Sequence, residues 1–199
     1  MLKKLALLSL SLILLLTGCA RMDSAATVGD TEIKLETLQG RVDSILAERL
    51  KFDTSQMQLE NGDVLARAQL AFLISNFILD EIAKETGIEV TKSDLEAYRL
   101  EIYGSIGGEP RLPEALVNAS IAPEALEDVM RRDLILRKIG TTLAESGADD
   151  ATINQAIQGL VSRKSDELKV VVNPRYGKWD ANSISVIGIE PAGSAVTNK

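Results

Sequence analysis

The chain has 199 residues, 22 basic against 29 acidic side chains, a net charge of −7, a single cysteine and no histidine. An acidic balance with only 4% aromatic residues argues against nucleic acid and against adhesion to anionic head groups by charge. One cysteine excludes an internal disulfide, and the missing histidine removes both the usual neutral-pH proton shuttle and the commonest metal ligand.

The chain opens on Lys3 and Lys4, followed by the apolar run LALLSLSLILLL over residues 5–16. That run is too short to span a bilayer comfortably. Leu16, Thr17 and Gly18 then lead directly into Cys19. This order resembles a bacterial lipoprotein signal peptide with its lipobox. The resemblance implies removal of residues 1–18 and acylation of Cys19, with palmitate-type chains holding the protein to a membrane on the extracytoplasmic side. Two or more acyl chains anchor a protein firmly, at about 0.8 kcal/mol per buried CH₂. Ala20 is not the aspartate that signals inner-membrane retention in many Gram-negative bacteria, and the choice of membrane stays open.

Residues 19–25 are small and polar and read as a tether. Residues 26–33 (ATVGDTEI) read as a short strand pair, with Gly29-Asp30 as the turn. Over residues 35–52, Leu35, Leu38, Val42, Ile45, Leu46 and Leu50 recur at spacings of three and four, which predicts an amphipathic helix. A polar break follows at 53–62. A long helix is expected over 63–86, and its centre, LAFLISNFIL, is apolar almost all the way round. Gly87 is its expected left-handed terminator, with Ile88 as the following apolar contact.

Thr91 and Asp94 have the spacing of a helix cap, for a helix to about residue 103. A glycine loop is expected over 104–110 and a short helix over 113–118. Residues 121–124 start a helix to about 144. Asp149 or Asp150 caps another, to about 165. The period then changes. Residues 167–173 and 184–189 read as strands around a Pro-Arg-Tyr-Gly turn, and 190–199 are small, polar and expected to be disordered. The fold class is therefore mainly α, with a small β-sheet formed by segments near the two ends of the mature chain.

Three segments taken in order resemble a known family. They are Val28-Gly29-Asp30-Thr31-Glu32-Ile33, then IAKETGIEVT over 82–91, then IAPEALEDVMRRDL over 121–134. Residues 172–180 (VNPRYGKWD) add to the likeness. The chain resembles the N-terminal chaperone module of SurA-like and PrsA-like extracytoplasmic foldases; the likeness covers about residues 26–180, and the domain is expected over 26–189. Many members add a parvulin-type prolyl isomerase domain. Here the stretch after Ser165 is too short for one, so the resemblance implies the chaperone part without the isomerase.

No catalytic or metal site is expected. Asp149-Asp150 reads as a cap, Gly104-x-x-Gly107-Gly108 follows a helix rather than a strand, and residues 162–165 (SRKS) read as a solvated helix end. Asn118-Ala119-Ser120 fits a glycosylation pattern that has no bearing on a bacterial lipoprotein. The expected activity is holding unfolded or newly exported polypeptides on apolar surface, without a cofactor. Leu70, Leu73, Phe77, Ile78, Met130 and Leu134 are the candidate client-binding residues, and the competing reading of each is plain core. Tyr98 and Tyr103 are weaker candidates, and Trp179 is expected to pin the C-terminal strand to the helices. The alternatives are an assembly lipoprotein holding one dedicated envelope partner, and a prolyl isomerase.

Overall fold

A computed structural model describes residues 23–189. The expected signal segment 1–18 with the lipobox-like residues Leu16, Thr17 and Gly18, the acylation candidate Cys19 and the expected tail 190–199 lie outside the described residues.

The chain begins with an antiparallel hairpin, β1 (Ser24–Val28) and β2 (Thr31–Lys34). Its turn requires Gly29 at φ 60°, and the Gly29 amide donates to the Leu168 carbonyl from the far end of the domain (2.5 Å). The expected tether therefore ends earlier than residue 25. Ser24 and Ala25 are strand residues, and Ala25 is fully buried. Six helices follow: α1 (Leu35–Arg49), α2 (Gly62–Thr86), α3 (Lys92–Ile106), α4 (Leu112–Asn118), α5 (Leu126–Glu145) and α6 (Asp150–Leu168).

The chain then returns as β3 (Val171–Val172), which pairs with β1 to give the order β2-β1-β3. A second sheet is the hairpin of β4 (Lys178–Asp180) and β5 (Ser185–Ile187). The two ends of the domain thus meet in one sheet, as expected, and Asn173 fastens them. Its amide donates to the Ala25 carbonyl and its Nδ2 to the Ser24 carbonyl, both at 2.9 Å. The expected strand over 167–173 shrinks to two residues because α6 runs on to Leu168, where Lys169 ends it in a left-handed conformation (φ 50°). Strand β4 was not expected.

Local chemistry explains the helix boundaries. Gly87 (φ 68°) closes α2, and the Ile88 amide reaches back to the Ala83 carbonyl (2.8 Å), so Ile88 folds onto the core. At the start of α3 the Thr91 hydroxyl accepts from the Asp94 amide, while the Asp94 carboxylate accepts from the Thr91 amide. Helix α3 continues through Gly104 and stops at Gly107 (φ 88°), three residues beyond the expected end.

The core forms around α2. Leu70, Ile74, Ile78 and Ile82 line one stripe of it and pack with Val28 of β1, Ile135 and Ile139 of α5, Val161 of α6 and Val186 of β5. Helix α2 is long and apolar enough to cross a membrane by length and composition. In this fold its apolar stripe is instead covered by neighbouring elements, which accounts for the nearly all-round apolar sequence.

Candidate functional site

Residues 70–79 present different faces to different neighbours. Leu70 and Ile78 are fully buried, and so is Met130 of α5. A side chain without exposed area offers nothing to a client, so these three candidates are core residues. Leu73 and Phe77 lie off that stripe and are half-buried. Leu134 is half-buried too, but lines neither of the two clefts that flank α2.

Leu73 and Phe77 form the apolar wall of a cleft of about 260 Å³. Ile33 of β2 and Ile135 of α5 extend that wall, and Asn76 and Arg132 supply polar groups. Two ion pairs cross its rim. Arg131 Nε donates to Asp80 Oδ1 (2.8 Å), joining α5 to α2. Arg41 Nη2 donates to Asp128 Oδ2 (3.0 Å), joining α1 to α5. Such part-exposed pairs are each worth about 0–1 kcal/mol, so they position the rim more than they stabilise it.

Arg132 also lines a second cleft, of about 330 Å³, on the other side. Its walls include Ala68, Phe72 and Ser75 of α2, Val129 of α5, and Ile184 from the β4–β5 turn. Ser120 at its edge is held in a left-handed conformation (φ 54°). Arg49 Nη2 donates to its hydroxyl (2.7 Å) and Gln69 Nε2 to its carbonyl (3.1 Å). Arg49 is only 7% exposed and also donates from Nη1 to the Glu60 carbonyl (2.7 Å), while burial pushes its pKa down from the ordinary value. No feature of the sequence singled out Arg49 or Arg132, because the role of each depends on partners from distant segments.

Outside the clefts, several readings are settled by contacts. Asp149 caps α6 by accepting from the Thr152 amide (2.8 Å), and this hydrogen bonding holds its carboxyl below the usual range. Residues 162–165 are not a solvated end. Helix α6 continues past them, and Lys164 has a side chain only 10% exposed, bonded to Glu167 and to Glu85 (2.5 Å). Ser165 is buried and accepts from Trp179 Nε1 (3.1 Å), so Trp179 does pin the C-terminal hairpin to a helix. Tyr98 donates to Asp133 (3.2 Å) under the Arg137 guanidinium, and burial raises its pKa. Among the described residues, no group of three or more His, Cys, Asp or Glu is placed to hold a metal ion.

The architecture is that of a helical domain built on one central helix, closed by strands from its two ends, with half-buried apolar residues in an open cleft. The sequence model of the SurA-like N-terminal domain matches residues 2–140, and the chain belongs to that chaperone-like family. No curated protein and no solved structure matches it. The family match stops within α5, yet α6, β3 and the hairpin complete the same core.

Proposed function

We propose that this domain is a holdase: it shields unfolded or newly exported polypeptides at the outer side of a membrane, to which acylated Cys19 anchors it. The observation that carries this reading is the pairing of a chaperone-like family with a cleft walled by Leu73 and Phe77. Half-buried aliphatic and aromatic side chains in a concave site suit client segments of varied sequence, because apolar contact demands little geometric precision. The mature chain implied by this anchor lacks Lys3 and Lys4 and carries 20 basic against 29 acidic side chains, a net charge of −9 that favours a soluble chaperone–client complex. The lipobox spacing of Leu16, Thr17, Gly18 and Cys19 supports the anchor.

The protein should suppress aggregation of several unrelated unfolded proteins, without ATP and without accelerating proline-limited refolding. Protection of one client alone would favour a dedicated envelope partner. Faster proline-limited refolding would replace the holdase with an isomerase. The anchor is tested separately: Cys19→Ser should move the protein from the membrane fraction to the soluble fraction.

A further inference from the structure

The larger cleft beside α2, about 330 Å³, has the size of a small-ligand pocket and shares only Arg132 with the Leu73–Phe77 cleft. Arg132 is also the only charged residue that lines it. Its backbone is unusual. Among the described residues other than glycine, only Ser120, Lys169 and Ile184 hold a positive φ, and two of these, Ser120 (54°) and Ile184 (50°), line this cleft. For a β-branched isoleucine such a conformation is strained, and strain of this kind gathers at binding sites.

Two guanidiniums serve this cleft, and neither gives a hydrogen bond to a carboxylate of the described residues. Arg132 lines it with a side chain 31% exposed. Its ion-pair partner Asp133 comes no nearer than 3.6 Å, beyond hydrogen-bond distance, and Asp133 Oδ2 accepts from the Tyr98 hydroxyl instead. Arg49 stands behind Ser120. It donates to the Ser120 hydroxyl (2.7 Å), the Glu60 carbonyl (2.7 Å) and Asn61 Oδ1 (3.1 Å), and the Glu60 carboxylate acts on it only through space. A buried cation without a close counter-charge is costly, so an anion in the cleft offsets part of that cost. Because Ser120 Oγ accepts from Arg49, its own O–H remains available as a donor.

The rest of the lining is uncharged and largely apolar, with Phe72, Val129 and Ile184 as its bulkiest members besides Ile121. An inorganic anion leaves those side chains without contact, and an uncharged apolar ligand gains nothing from Arg132. A carboxylate matches the planar guanidinium fork. We propose that this cleft binds a monocarboxylate with a compact apolar body, the carboxylate held by Arg132 and Ser120 and the body packed on Phe72, Val129 and Ile184. A free carboxylic acid and the carboxyl end of a polypeptide share this chemistry. The site goes beyond the holdase reading and does not depend on it.

The test measures calorimetric binding of phenylpropionate and of its amide to the full protein near neutral pH. The acid should bind about tenfold more tightly than the amide, the size expected for one charge-assisted hydrogen bond. Arg132→Gln should bind the two alike. Ser120→Gly suits the left-handed backbone and deletes the hydroxyl, so it should weaken the acid about threefold and leave the amide unchanged. Equal binding of acid and amide, no binding of the acid, or discrimination that survives Arg132→Gln overturns the site. Acetate binding as tightly as phenylpropionate would mean an adventitious ion only, and overturns it too. A peptide ending in Phe, with its terminus free or amidated, separates the sources: preference for the free terminus admits chain ends, and no preference restricts the site to free acids. Suppression of aggregation is a separate readout, by which the holdase stands or falls alone. Should Arg132→Gln fail to fold, the acid–amide comparison and Ser120→Gly decide.

Discussion

Two guanidiniums pack on the Phe72 ring: Arg132 Cζ lies 5.0 Å from its centroid and Arg41 Cζ lies 5.1 Å from it. The arginines come from α5 and α1, and the ring from α2, so one aromatic joins three helices at the border between the two clefts. Acids on α5 hold each cation, Asp128 on Arg41 (3.0 Å) and Asp133 on Arg132 (3.6 Å). Cation–π contacts contribute about 0.5–2 kcal/mol each, depending on desolvation. Phe72→Leu keeps an apolar group of similar reach and removes both. It should lower the unfolding free energy by about 1–3 kcal/mol, read as a lower urea midpoint at constant slope. An unchanged midpoint would show that the stack holds nothing together.

Neighbouring positions on α2 should respond in opposite ways. Ile78 is fully buried, and Ile78→Ala leaves a cavity in the main core, at a cost of about 2–5 kcal/mol. Phe77, one position earlier, lines the open cleft. Phe77→Gln should reduce suppression of client aggregation by more than half at equal protein concentration, while the fold persists by circular dichroism. If Phe77→Gln protects clients fully, the cleft is not where they bind.

Helix boundaries were legible because their signals are local. Gly87, the Thr91–Asp94 pair and Asp149 each act within a few residues, so spacing alone reveals them. Which face of α2 is core was not legible, since residues 70–79 are apolar in every direction and only the packed neighbours choose between Leu70 and Leu73. The clefts were less legible still. Arg49 with Ser120, Arg41 with Asp128 and Arg131 with Asp80 are joined across 71, 87 and 51 positions, and no periodicity encodes such pairs. Lys164 shows the same failure in reverse. It looks like a surface lysine in sequence, and is nearly enclosed because α6 continues and Glu85 approaches from α2.

Trp179 holds the C-terminal hairpin by one hydrogen bond and its ring. Its Nε1–H donates to Ser165 Oγ, which in turn donates to the Val161 carbonyl (2.7 Å). Trp179→Phe retains most of the apolar contact and deletes the bond, so the expected loss is about 1 kcal/mol. Ser165→Ala should cost a similar amount, and the double variant should cost less than the two single losses added together. Strict additivity in that cycle would mean the two side chains do not communicate.

Asp94 gives the fold a defined acid sensitivity. Its bond from Lys138 Nζ (2.8 Å), then those from Thr91, hold its carboxyl at about 2 against an ordinary 3.8. A carboxyl depressed in the folded state stabilises while ionised. Its contribution is therefore complete above the unfolded value and disappears as pH falls from about 4 to about 2. Glu101, Asp149 and Asp180 are also depressed, by Arg137, Thr152 and Ser183 respectively, so the whole domain should weaken in acid. The share belonging to Asp94 is isolated by Asp94→Asn, which keeps the shape and loses the charge facing Lys138. The unaltered protein should be the more stable of the two near neutrality, and the gap between them should narrow through that acid window. A gap that is constant down to the lowest pH at which both fold would mean that the Asp94–Lys138 pair does not stabilise the start of α3.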